Sequence, residues 1–127
     1  MNFRSSLRSL LSLAHLIDRP ALCVRFVADN PDRDMLAPGT LYIVGDKNFQ
    51  KWAVMRCPCG CGDPIMLSLS KSRRPSWTAD VDWLERPTLD PSIRQTSGCY
   101  SHFWVQGGRL VWCGDTGKPW RAKGRLQ

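Results

Sequence analysis

Cys57-Pro-Cys-Gly-Cys-Gly62 sets three cysteines at alternate positions with turn-forming residues between them. Thiols at that spacing suit metal binding. Four-coordinate zinc favours sulfur and imidazole donors, and the Pro and Gly residues let the backbone turn until several sulfurs converge. Cys99 and Cys113 lie downstream on either side of a predicted hairpin, so another strand can deliver a fourth thiolate. Four thiolates would make a closed, structural zinc site, whereas three with a water would leave the ion open to Lewis-acid chemistry. A disulfide framework is the competing account. It is disfavoured because cysteines two apart pair poorly and no convincing export signal points to an oxidising compartment. The isolated Cys23 reads as a small core residue.

The second chemistry is that of a hydroxyl beside an imidazole. The chain holds two histidines and one glutamate, with no His-Glu-x-x-His and no His-x-Glu ahead of a Pro-Cys-x-x-Cys, which removes several zinc-hydrolase and deaminase schemes. His15 falls on a predicted helix and needs no special role, so His102 is the informative base. On its strand Tyr100, His102 and Trp104 face one way and Cys99, Ser101, Phe103 and Val105 the other, so Ser101 can meet His102 only across a bulge. Ser92, in the proline-framed segment before it, could approach from the side. A serine hydroxyl is a weak nucleophile until a base takes its proton. Asp90 and Asp115 could each orient the imidazole, and a thiol route through Cys99 or Cys113 would take a cysteine away from the metal. A serine after proline is often a turn residue and a strand histidine often structural, so the residues alone leave the dyad as one reading among several.

The elements that must position these groups are mostly strands. Phe3, Leu7, Leu10, Leu11, Ala14 and Ile17 recur at helical spacing and predict an amphipathic packing helix ended by Asp18–Pro20. Period-two patterning then predicts strands from Leu22, over Thr40–Val44, over 51–56 into the cysteine knuckle, from Pro64 to Leu69 out of it, and near 77–83. Residues 87–93 carry two prolines, so the segment should be extended without being a central ladder strand. Cys99–Val105 and Arg109–Cys113 around Gly107-Gly108 form the clearest hairpin. The expected fold is α+β: a β-rich, mostly antiparallel sheet with an N-terminal helix (1–20), a zinc-containing catalytic domain (21–114) and a basic tail (115–127).

With 127 residues, 43% hydrophobic content and six Trp, the chain can bury one core. No apolar run approaches the roughly 20 residues of a membrane helix, and a soluble, cytoplasmic protein is expected. The net charge of +7 lies toward the two ends, with Lys118, Arg121, Lys123 and Arg125 in the tail. Such basicity bears on solubility and encounter before it implies nucleic-acid binding.

Three segments together, Cys57-Pro-Cys-Gly-Cys-Gly62, Leu89-Asp-Pro-Ser-Ile93 and Cys99-Tyr-Ser-His-Phe-Trp104 ending in Val111-Trp112, resemble the BubE-like family of small bacterial proteins over roughly residues 22–113. The resemblance implies a peptidase acting on the C-terminus of a ubiquitin-like protein, by precursor maturation or deconjugation, beside E1-like and E2-like partners. It also implies zinc ligation by Cys57, Cys59, Cys61 and Cys99, with Cys113 a secondary candidate, and an active site at Ser92, Ser101 and His102. The strand-facing argument favours Ser92 as nucleophile; a Ser–Lys arrangement stays open, and Asp90 stands where the resemblance does not require an acid, so it is not promoted to a triad member. The rival from another class is a noncatalytic, zinc-ribbon-like adaptor or nucleic-acid-binding module.

Overall fold

The computed structural model describes residues 3–13, 20–46 and 48–118. Helix α1 spans Phe3–Leu13; strands follow as β1 (Cys23–Val27), β2 (Thr40–Gly45), β3 (Gln50–Arg56), β4 (Pro64–Ser68), β5 (Thr78–Val81), β6 (Pro87–Arg94), β7 (His102–Gln106) and β8 (Arg109–Trp112). They form two four-stranded sheets, ordered β1-β2-β3-β4 and β5-β6-β7-β8. All pairings are antiparallel except β1 with β2, which the crossing connection 28–39 makes parallel.

Alternation explains how the sheets meet. Leu41 and Ile43 of β2, Ala53 and Met55 of β3, and Ile65 and Leu67 of β4 share one buried core with Leu89, Ile93, Phe103 and Val105 of β6 and β7. The intervening Tyr42, Val44 and Val54 bury the opposite face of the first sheet beneath Leu36, which is why β2 is apolar without interruption. Backbone bonds tie the layers at their rims: the Val24 N–H donates to the Glu85 carbonyl at 2.9 Å and the Leu22 N–H to the Gly108 carbonyl at 3.0 Å.

Two expectations are corrected. Residues 87–94 are a central strand between β5 and β7 after all. Pro87 opens the strand, where no ladder donor is required, and Pro91 falls in an irregularity: Leu89 pairs with Val105 and Ile93 with Phe103, so a four-residue step on β6 faces a two-residue step on β7. The helix is also no core element, for none of its residues is buried. Polar contacts attach it instead: Ser5 Oγ donates to Glu85 Oε1 at 2.6 Å, and Arg8 reaches the same carboxylate at 3.1 Å and the Leu84 carbonyl at 2.9 Å. Phe3 adds an edge contact to Trp83. Ala14, Ile17 and the helix stop at Asp18, with Arg121, Lys123 and Arg125 of the tail, lie outside the described residues.

Candidate active site

Ser92, His102 and Asp115 form a continuous hydrogen-bonded chain. Ser92 Oγ lies 2.9 Å from His102 Nε2, and His102 Nδ1 lies 2.6 Å from Asp115 Oδ1. A carboxylate can only accept, so in the neutral imidazole Nδ1 carries the proton and Nε2 is left as the acceptor for the serine hydroxyl. That is the tautomer a general base needs.

Each side chain has a local reason for its position. The β6 irregularity brings Ser92 toward His102, and Trp77 Nε1 donates to the Ser92 carbonyl at 3.2 Å, bracing the displaced backbone. His102 opens β7 opposite Arg94. Its carbonyl accepts the Cys113 N–H at 2.9 Å and its own N–H donates to Thr116 Oγ1 at 3.0 Å. Asp115 lies in the turn after β8, which the Gly117 N–H pins to the Tyr100 carbonyl at 2.8 Å. Residues 114–118 are therefore laid against the start of β7, although the sequence reads as a solvated tail from 115 onward.

Arg94 completes the arrangement. Its guanidinium lies 2.8 Å from Asp115 Oδ2, so the two carboxylate oxygens are divided between imidazole and guanidinium. The hydrogen bonds from His102 first and Arg94 second hold the Asp115 carboxyl below its ordinary value. Such a group can aim an imidazole and stabilise it when it becomes charged.

Ser101 belongs to the other cluster. It is buried on the opposite side of β7 from His102, with its Oγ 3.1 Å from Cys99 Sγ and 3.6 Å from Cys57 Sγ. Cys57, Cys59, Cys61 and Cys99 converge so that all four sulfurs lie within 4.8 Å of one another, and they could hold a metal ion. Cys57 sits just past β3, and Gly60 and Gly62 take positive φ angles of 96° and 84° to wrap the turn. The Cys57 N–H donates to the Asp63 carbonyl and the Cys61 N–H to Cys59 Sγ. Arg56 braces the turn by donating to the carbonyls of Gly62, Leu36 and Arg33. Cys99 arrives from the β6–β7 turn, so the cluster joins the two sheets. Burial pushes the Cys57 thiol up to about 12. At Cys59 burial, the largest influence, opposes ionisation, but hydrogen bonds from Ser101, the Cys61 N–H and the neighbouring thiols outweigh it and draw the group down to about 6. All six cysteines are free thiols.

Cys113 takes no part in that cluster and stands instead with His102 and Asp115, their ligand atoms within 4.8 Å of one another. Asp90 is exposed on β6 opposite Thr78, and the imidazole meets Asp115 rather than Asp90.

A family model described as the bacterial ubiquitination-like system serine protease, BubE, matches residues 26–113. The chain belongs to the BubE family. The BubE match contains Ser92, His102 and the four clustered cysteines, while Asp115 lies just beyond its end. No curated protein and no solved structure matches the chain.

Sequence reasoning left Asp115 level with Asp90 and missed Arg94 and Thr116. No local pattern marks them. Only the spacing of two residues between Cys113, opposite His102, and Asp115 could have hinted that the turn returns to the imidazole.

Proposed function

We propose that this BubE-family chain is a serine hydrolase that cleaves at the C-terminus of a bacterial ubiquitin-like protein, maturing a precursor or releasing a conjugate. The observation that carries the reading is the hydrogen-bonded order Ser92–His102–Asp115. Ser92 Oγ attacks the scissile carbonyl while its proton passes to His102 Nε2. The tetrahedral adduct collapses as Nε2–H protonates the leaving amine, giving an acyl-enzyme. Water then repeats the sequence, its proton going to Nε2 and returning to Ser92 as the acid product leaves. Asp115 holds the imidazole in the required tautomer and balances its charge, and Arg94 positions Asp115.

The cysteine cluster is read as a structural zinc site. A tetrahedron of thiolates with Zn–S of about 2.3 Å has edges of about 3.8 Å. The separations of 3.4 Å for Cys57–Cys59 and 3.6 Å for Cys57–Cys99 suit it. Zinc bound by Cys57, Cys59, Cys61 and Cys99 would have no open position and would supply a cross-link rather than a reacting group. Ser101 would donate its hydroxyl to the bound sulfur, a positioning role away from the attack. A thiolate-ligated metal site suits a reducing cytoplasm, where the E1-like and E2-like proteins of the conjugation system would act beside it. The charge of +7 would steer an acidic partner.

The test is cleavage of the ubiquitin-like protein carrying a C-terminal extension, followed by mass spectrometry of a fluorophosphonate-treated sample. The unsubstituted chain should cleave at one bond and be labelled on Ser92. Ser92→Ala and His102→Ala should each lose about four orders of magnitude in kcat/KM or more while staying folded. Full activity in folded Ser92→Ala would overturn the reading.

A further inference from the structure

Past Asp90 the strand that carries Ser92 has, among the described residues, a partner strand on one side only, and on the other the Trp77 indole reaches its backbone. β5 pairs with β6 only from Pro87 to Asp90, the last pair being Thr78 with Asp90. Just before Thr78 the chain turns away from β6, and the Trp77 N–H donates to the Ser68 carbonyl at 2.8 Å. Past Asp90, β6 has β7 as its partner strand.

The neighbours determine which way the β6 backbone groups point. The carbonyl and the N–H of His102 are both engaged toward the β8 side, by the Cys113 N–H and by Thr116 Oγ1. Its cross-strand partner Arg94 therefore belongs to the pair that exchanges no ladder bonds, and its N–H and C=O turn away from β7. The adjacent residue shows the alternation, since the Gln95 N–H faces β7 and donates to the Ser101 carbonyl at 2.8 Å. Two residues before Arg94, the Ser92 carbonyl accepts Trp77 Nε1 from the side away from β7. A ladder edge bearing the Arg94 donor and acceptor thus runs past the hydroxyl that His102 activates.

We infer that this edge is the substrate-binding strand: an extended polypeptide tail enters in line with β5, pairs its main chain with Arg94 and carries a peptide carbonyl to Ser92. The inference rests on the hydrolase reading above. Its occupant is an extended chain end: its unpaired N–H and C=O groups complete the ladder, and the hydrolase reading requires that its scissile carbonyl reach Ser92. Trp104 and Val111, paired across β7 and β8 on the face that carries His102, give the tail apolar surface. The other edge near the site is β8. There Leu110 and Trp112 turn their N–H groups outward, since His102 and Cys113 form the bonded pair.

The test uses full-length Ser92→Ala, which binds without turnover, and a synthetic peptide with the C-terminal sequence of the ubiquitin-like protein. Amide hydrogen exchange followed by NMR should show Arg94 slowed about tenfold on peptide addition, with Leu110 and Trp112 unchanged. Peptides N-methylated at single positions should bind about tenfold more weakly at alternate residues only. Protection at Leu110 and Trp112 in place of Arg94, an N-methyl series without alternation, or no binding at all would overturn the docking edge. Cleavage by the unsubstituted protein is read separately: Arg94 protection without cleavage would remove the hydrolase reading and leave the edge standing.

Discussion

Asp115 shares its carboxylate between His102 Nδ1 at 2.6 Å and Arg94 Nη2 at 2.8 Å, which makes it the residue on which the imidazole's orientation turns. Asn at 115 can present its amide N–H to Nδ1 and so favour the wrong tautomer. Asp115→Asn is therefore expected to lower kcat by about 10²- to 10⁴-fold with little change in KM, read from steady-state kinetics. The carboxyl is held below the ordinary value of 3.8, so its stabilising contribution is complete above that value and is lost as pH falls through the depressed one. A carbon-detected NMR titration should give an Asp115 midpoint below 3.8, moving up toward it in Arg94→Gln. A midpoint at or above 3.8 in the unsubstituted protein would refute the sharing of charge. Ser101→Ala should keep Ser92 labelling while weakening metal retention, since its hydroxyl meets Cys99 and Cys57 rather than His102.

β6 delivers Ser92 because the strand is irregular there, and an irregular strand needs a brace. The Trp77 indole N–H supplies one from outside the ladder. Trp77→Phe keeps an aromatic ring, though a smaller one than the indole, and removes the donor. It should cost about 1 kcal/mol of stability by denaturant unfolding, and lower kcat beyond that of a control variant of equal stability. The β7–β8 turn is constrained in another way. Gly107 and Gly108 have φ of 56° and 78°, and a Cβ on Gly108 would lie 2.8 Å from the Leu22 carbonyl oxygen and from Pro20 Cβ. Gly108→Ala should destabilise by about 2 kcal/mol or more, because positive φ and backbone collision act together. Gly107→Ala, which meets no neighbour within 4 Å, should cost less.

At the scale of the molecule the cysteine cluster is one of the junctions between the sheets, beside the shared core and the backbone bonds at the rims. Cys57, Cys59 and Cys61 come from the β3–β4 tip and Cys99 from the β6–β7 turn, three residues before His102. Removal of the proposed zinc should therefore loosen both the sandwich and the strand that bears His102. Elemental analysis should find one zinc per chain in the unsubstituted protein and in Cys113→Ser, and little in Cys99→Ser. Chelation should lower Tm by roughly 5 °C or more and reduce activity in proportion to zinc removed. Zinc retained by Cys99→Ser but lost from Cys113→Ser would reverse the assignment. No helix of the described residues is long and apolar enough to cross a membrane.

Local chemistry by itself determined much of this protein. Alternation marked β1 to β4 and β8 within a residue or two, since each strand's burial pattern is written in its own side chains, while β7 begins at His102, three residues after the expected Cys99. Cysteine spacing identified the knuckle, and the period of two separated Ser101 from His102. Tertiary structure decided the remainder. Two prolines argued against a central strand, and β6 is central because Pro91 falls where the ladder breaks, a fact that exists only with β7 beside it. An amphipathic period predicted a packing helix, yet Ser5 and Arg8 hold α1 through its polar side, toward a glutamate 80 residues away from Ser5. Asp90 and Asp115 were equal as sequence, one close to Ser92 and one in an apparent tail. The turn after β8 brings Asp115 to the imidazole because its Gly117 N–H donates to the Tyr100 carbonyl and its Thr116 hydroxyl accepts the His102 N–H, and such long-range pairing leaves no periodic trace in the chain.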